Sequence, residues 1–310
     1  MVRLFTVIGS SCIPVLLCIT TSFSQVVREQ QDRLNHFGSR VAALGDSYVS
    51  DAYDVSAAFV NPASILFIES KNILLDVHQD WKNMALQEGI AVPILTRGVW
   101  GLGISAGIRH AGVIKSESTV SGLSFLEYFL NVAASRLLAN AFSFGIGGGI
   151  TYGSVDGSNQ LAFNASSGLL YAPSSGVTYG ISYGASSRVI YEYDVAKIRT
   201  RLLRDSVSHN IQIGITMRLP IRTGPRSFSL SIASQKYIGV SGLDYRVGIE
   251  AYPLDFFALR VGYSIRDKAV SARYGAGIRF SFLEIDYMIA PSKSVNRFQA
   301  ITFSFGLGNR

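Results

Sequence analysis

The 310-residue chain is poor in cysteine: its two, Cys12 and Cys18, both lie within Met1–Ser24. If that segment is removed on export no thiol remains, which excludes disulfides, thiolate metal sites and cysteine nucleophiles. Charge is also scarce, with 16% of residues Asp, Glu, Lys or Arg against about 25% in ordinary soluble domains. Beyond the N-terminus no apolar run approaches the roughly 18 residues that a membrane helix needs. No succession of amphipathic helices is present to cover a sheet. The histidines His36, His78, His110 and His209 have no paired spacing, so no metal and no cofactor is expected. Gly145-Ile146-Gly147-Gly148-Gly149 is no phosphate loop, because neither Lys-Ser/Thr nor a helix follows it. Nothing marks a catalytic nucleophile, and no enzyme activity is expected. The net charge of +7 is scattered singly along the chain, which argues against nucleic acid as a partner.

What the chain does have is alternation. From about Lys71 onward, large apolar residues take every second position. In the last stretch Ile301, Phe303, Phe305 and Leu307 share one face, and Ala300, Thr302, Ser304 and Gly306 share the other. A period of two is the signature of a strand with one apolar face. Without helices to cover that face, the pattern fits an all-β fold, a transmembrane antiparallel β-barrel that is apolar outside and polar inside. Met1–Ser24 reads as an export signal, with Arg3, an apolar stretch over Leu4–Ile19, and Ser22 and Ser24 before Gln25. About fourteen strands are expected, an even number as in bacterial barrels: 71–79, 84–94, 99–110, 124–137, 141–153, 160–172, 176–187, 206–219, 226–238, 242–253, 256–266, 270–280, 282–290 and 297–307. The longest connections, 111–123 and 188–205, both fall at odd positions in the series, and Pro173-Ser174-Ser175 is a short even one. That parity matches long extracellular loops and short periplasmic turns. The expected location is the outer membrane of a Gram-negative-type bacterium, among outer-membrane lipid and lipopolysaccharide.

Three regions follow: a signal peptide over 1–24, a hatch segment over 25–70 and a barrel over 71–310. Residues 25–40 are polar and read as a short helix or a loose tail. Val41–Ser70 is small and turn-rich, and Pro62 excludes a central strand or a helix running through Asn61. A segment of that size can fold back into a barrel lumen. In the C-terminal third, every strand charge falls on the polar face: Arg246, Glu250, Arg260, Arg273, Arg279, Glu284 and Asp286. An Arg or Lys on the lipid face costs about 2–4 kcal/mol at mid-bilayer, so this phase is well constrained. The ladder is read either as ion pairs that knit the wall and hold a plug, or as a selectivity site. The wall over 99–153 reads as more apolar and able to supply a greasy path. Segment 188–205 is basic, with Arg188, Lys197, Arg199, Arg201 and Arg204. It is a solvated loop, a pair of strands rising past the membrane, or a one-sided helix carrying Val195, Ile198 and Leu202. Its candidate role is contact with lipopolysaccharide headgroups or with a partner protein.

Gly38-Ser39-Arg40-Val41-Ala42-Ala43-Leu44-Gly45, Asp54-Val55-Ser56-Ala57 and Asn61-Pro62-Ala63 resemble the N-terminal plug of FadL-like outer-membrane proteins, and of their PorV/PorQ family most of all. Gly168-Leu169-Leu170-Tyr171-Ala172-Pro173, Leu259-Arg260-Val261-Gly262-Tyr263 and Ile285-Asp286-Tyr287 extend the resemblance along the barrel. It implies a fourteen-stranded barrel with a lumen hatch, whose motif residues here are Gly45, Asp54, Asn61, Pro62 and Ala63. The PorV/PorQ likeness implies an accessory, protein-contact component linked to type IX-like protein secretion, with secretion-system proteins or secreted cargo as partners. The wider FadL likeness implies the alternative, a channel for uptake of apolar small molecules across the outer membrane.

Overall fold

The computed structural model describes residues 37–51, 55–68, 72–80, 85–116, 119–155, 158–194, 199–204, 207–219, 228–266, 269–291 and 298–306. The first of these form short helical turns: α1 (Ser39–Ala43), α2 (Ala57–Val60) and a 3₁₀ helix, Pro62–Phe67. The strands follow: β1 (Asn72–Asp80), β2 (Ala85–Arg97), β3 (Trp100–Ser116), β4 (Thr119–Ala139), β5 (Phe142–Val155), β6 (Ser158–Tyr171), β7 (Val177–Asp194), β8 (Arg199–Arg204), β9 (Ser208–Leu219), β10 (Phe228–Tyr237), β11 (Asp244–Leu254), β12 (Phe257–Arg266), β13 (Ala269–Arg279), β14 (Leu283–Ala290) and β15 (Phe298–Gly306). The signal peptide and residues 25–36, Asp54 and Lys197 of the sequence reading lie outside the described residues.

Each strand pairs antiparallel with its sequence neighbour, β7 pairs onward with β9, and β1 with β15. The result is a closed antiparallel barrel of fourteen strands. The fifteenth strand, β8, does not add to the ring. β7 pairs with β9 up to Ser186↔Ser208 and with β8 from Val189↔Arg204. Both β8 and β9 thus pair with the same edge of β7, at successive stretches of that strand.

The strand boundaries expected from alternation match those observed to within a few residues, except at the two longest connections. β3 runs on to Ser116 and β4 begins at Thr119, so most of 111–123 is strand. β7 runs to Asp194 and β8 occupies Arg199–Arg204, which corrects the helical option for 188–205: Leu202 stands in a strand opposite Tyr191. The cause is cross-strand pairing. Val189, Ile190, Tyr191 and Tyr193 favour strand, and the register sets Glu192 opposite Arg201 and Asp194 opposite Arg199, opposite-charge pairs that support a ladder.

Side chains alternate across the wall as their chemistry requires. In β11, Asp244, Arg246, Gly248 and Glu250 are buried inward while Tyr245 and Ile249 face out. Leu130, Ile146, Ile150, Phe163, Ile181, Ile213, Ile232 and Leu259 are likewise exposed. An apolar surface on this scale is unsuited to water. In hydrocarbon it is matched, and a closed ring leaves no strand edge unpaired. The barrel is thus an outer-membrane protein. Among the described residues no helix is long and apolar enough to cross a membrane, and the crossing is made by strands. The described connections 98–99, 140–141, 172–176, 255–256 and 280–282 are tight and gather at one end, the periplasmic one by the usual asymmetry. Trp100, Phe144, Tyr171, Tyr179, Phe256, Phe280 and Phe282 stand exposed around that end as an aromatic girdle.

Candidate functional site

The site is the hatch and its seat. Residues 37–51 and 55–68 lie inside the barrel, and nearly all of their side chains are buried. Asn61 organises the turn before the 3₁₀ helix. Its Oδ1 accepts the Ala63 N–H at 3.1 Å, and Pro62 occupies the first helical position, where its missing N–H costs nothing. The Asn61 Nδ2 then donates to the carbonyls of Val49 (2.8 Å) and Leu169 (3.1 Å). One side chain thereby caps the helix, crosses the hatch and reaches the wall. Ser143 Oγ donates to the Ala63 carbonyl at 2.8 Å, and Thr178 Oγ1 to that of Ser50 at 2.6 Å. Wall glycines allow this close seating. A Cβ at Gly145 would overlap Ala63, one at Gly168 would overlap Asn61, and one at Gly262 would overlap Gly45. Gly45 itself has φ +66°, and a Cβ there would lie 2.9 Å from the Tyr263 backbone, a position that suits glycine alone.

On the β9–β13 side the hatch is held by buried charge. The Arg40 guanidinium donates through Nε (2.7 Å) and Nη2 (2.6 Å) to the two oxygens of Glu250. It also pairs with Asp51 at 3.1 Å and contacts the Tyr48 hydroxyl. Glu250 is shared with Arg260 at 2.7 Å, and Arg260, fully buried, continues to Asp286 at 2.5 Å. Arg279 pairs with Glu284 at 2.9 Å. Arg218 reaches Asp51 at 3.2 Å and Arg273 reaches Asp46 at 2.6 Å. Arg246 bonds Gln235 and lies 3.4 Å from the Asp46 carbonyl. Charges taken out of water this far are tolerable only when paired and hydrogen-bonded.

At the start of the hatch, Asp76 accepts the Gly38 N–H at 3.1 Å and the Thr302 hydroxyl at 2.6 Å, and the Ser39 N–H donates to Thr302 at 2.7 Å. His78 lies 2.9 Å from Asp76. The remaining side is different in kind. There Phe37, Val55, Ala58, Ile65 and Ile68 pack with Leu74, Ala91, Phe129 and Ala133 of β1, β2 and β4, and Phe59 joins them. Phe37 meets Phe59 and Phe129 edge-on at 6.1 and 6.3 Å. The hatch is thus bonded by polar groups around most of its rim and meets the β1–β4 sector through an apolar seam.

The wall over 99–153 is not apolar toward the lumen, contrary to the sequence reading. Its apolar residues face lipid, and the inward positions carry Ser105, Arg109, Glu127, Asn131 and glycines. Above the hatch these form hydrogen-bonded belts. Arg109 donates to Gln87 at 2.7 Å and pairs with Glu127 at 3.4 Å, and Gln160 also bonds Glu127. Asn164 donates to Asn131 at 3.1 Å and Asn131 to Ser105 at 3.2 Å. The belts cross β5 where its residues are Gly149, between Asn131 and Asn164, and Gly153, between Glu127 and Gln160. Phe129 and Ala133 are the exceptions, and Arg109 stacks over Phe129 at 4.9 Å.

The structure places Gly45 in the hatch against β12, and Asn61, Pro62 and Ala63 in the hatch against β5 and β6. It assembles Glu250, Arg260, Glu284, Asp286 and Arg279 into one charge cluster, with Arg246 and Arg273 turned to the hatch at Asp46. Arg188 is separate, 3.8 Å from Glu127, and Arg199, Arg201 and Arg204 stand on β8. Sequence reasoning missed Arg40, Asp46, Asp51, Asp76, Arg218, Thr302 and the phenylalanine seam. Strand phase alone places Asp76, Arg218 and Thr302 inward. For Arg40 and Asp51 the available signal was an ionisable residue inside a small, apolar segment.

No family model matches the chain, and no curated protein matches it by sequence. Among solved structures its fold is similar to the Ralstonia pickettii toluene transporter TbuX, with TM-score 0.61, 12% identity, and coverage of 89% of this chain and 99% of that one. It is similar to the CymD monoaromatic hydrocarbon channel, with TM-score 0.65, 10% identity, and coverage of 89% and 99%. A Pseudomonas aeruginosa FadL homologue matches with TM-score 0.59, 14% identity, and coverage of 87% and 97%. At these identities the likeness is one of fold alone, that of a fourteen-stranded outer-membrane barrel.

Proposed function

We propose that the chain is a hatch-closed outer-membrane channel for small molecules with an apolar body. The observation that carries this reading is the apolar seam between the hatch and the β1–β4 wall, built by Phe37, Phe59, Phe129, Ile65, Ile68 and Leu74. Among the described apolar contacts of hatch and wall it is the one where aromatic rings of both meet, a surface into which an apolar molecule can partition without breaking polar pairs. The toluene and monoaromatic-hydrocarbon proteins that share the fold support the same class. The secretion-linked reading needs a docking surface at the cell exterior. Its candidate, the β7–β8 hairpin, sets two of its arginines opposite acids in register, and no specific observation favours that role.

The test is uptake of a radiolabelled monoaromatic hydrocarbon by a Gram-negative host whose own channels for such solutes are deleted. Wild-type protein is expected to restore uptake, and Phe129→Asn to lower it about tenfold, the scale of one apolar contact in a selective site, with surface expression unchanged. Equal uptake by the two proteins, or none above the empty host, contradicts the proposal.

A further inference from the structure

The outward face at the periplasmic end carries an unused cationic feature. The register aligns Arg97 with Trp100, Trp100 with Arg136 and Arg136 with Phe144. Three adjacent strands, β3 to β5, thus contribute one row on the lipid-facing side, in register with position 97 of β2. Trp100 is 51% exposed and the Arg136 guanidinium stacks over its ring at 5.0 Å. Arg136 is exposed and forms no hydrogen bond or ion pair among the described residues. No acidic residue stands in the row. One step deeper toward the membrane centre, the same strands align Leu95, Leu102, Ala134 and Ile146, all apolar. The bulge in β2 between Pro93 and Leu95 turns both Ile94 and Leu95 outward, 56% and 42% exposed, and broadens that apolar row.

We propose that this row is a binding site for an anionic glycerophospholipid of the periplasmic leaflet. Arg136 meets the phosphodiester, the indole sits at the glycerol level, and the apolar row beneath takes the acyl chains. Three observations point the same way. The row lies at the tight-turn end, in the aromatic girdle, where headgroups are. An exposed guanidinium without an acid partner calls for an anion, and its fork matches phosphate oxygens. The change from cationic to apolar within one residue step follows the polarity of a phospholipid. Elsewhere around this end the strand ends present Tyr171, Tyr179, Leu219 and Leu254 outward, and the exposed polar residues Asn140, Ser174, Ser175, Asp255 and Ser281 lie in the turns and carry no positive charge.

Native mass spectrometry decides it, with the full-length protein in a neutral detergent supplied with phosphatidylglycerol, phosphatidylcholine or lipopolysaccharide. The wild type is expected to retain one phosphatidylglycerol in preference to phosphatidylcholine. Arg136→Gln should weaken that retention about fivefold and the Arg97→Gln/Arg136→Gln pair by more, on the scale of one charge per step near a membrane surface. Arg136→Lys, which keeps the charge, should retain most of it. Folding is checked by heat-modifiable gel migration. If the double variant does not fold, the comparison of Arg136→Gln with Arg136→Lys decides alone. Unchanged retention in Arg136→Gln, or a preference for lipopolysaccharide that the same substitutions abolish, overturns the proposal.

Discussion

Glu250 and Arg40 form a buried pair in which neither member depends on the other alone. Glu250 receives both Arg40 and Arg260, and on its removal those cations keep Asp51 and Asp286. Arg40 serves Glu250 and Asp51, each of which keeps a second cation, Arg260 and Arg218. Removing one partner of a buried pair costs about 3–5 kcal/mol when the other is stranded, and about 1–3 kcal/mol when only one hydrogen-bonding partner of several is lost. Glu250→Ala and Arg40→Met are therefore each expected to destabilise the folded barrel by the smaller amount, as read by the temperature at which its compact gel band disappears. A barrel that no longer forms in either variant would mean that the remaining partners do not compensate. The charge of Glu250 was placed inward from strand phase alone. That it meets Arg40 was not legible, because their separation of 210 residues is bridged only by the return of the hatch into the lumen.

At the scale of the element, a strand in this wall is defined by which face its charges occupy. Val261 faces lipid and Ser264, on the same strand, faces the lumen. Val261→Arg should therefore cost about 2–4 kcal/mol near the bilayer centre and block assembly, while Ser264→Arg should assemble. Equal assembly of the two in outer-membrane fractions would invert the barrel. The same phase rule explains why the transmembrane strands could be read from sequence. It also explains the misreadings. Beyond the membrane the lipid no longer imposes alternation, so the upper parts of β3, β4 and β7 lost their signature and read as loops. Asn61-Pro62-Ala63 was legible as a break in chain direction, because proline forbids the alternatives. The bonding of Asn61 to Leu169 was not, since it depends on Gly168 lying in the opposing wall.

For the whole molecule, the hatch and wall form one network rather than a plug resting in a tube. Polar ties reach it from β1, β5, β6, β7, β9, β11, β13 and β15, and the apolar seam completes the rim toward β1–β4. Among the described residues, the hatch meets the wall through paired charges and amides on one side and a seam of phenylalanines on the other. The wall needs no hatch to close its hydrogen-bonded ring, because every strand pairs with wall neighbours alone. Removal of residues 25–70 should therefore leave a barrel that still inserts.

The most direct measurement is single-channel conductance in a planar bilayer, comparing the full-length protein with this deletion. The full-length barrel is expected to insert and conduct almost no small electrolyte, and the deletion to insert and conduct steadily. Equal conductance of the two, whether both open or both closed, would contradict a lumen stoppered by its hatch.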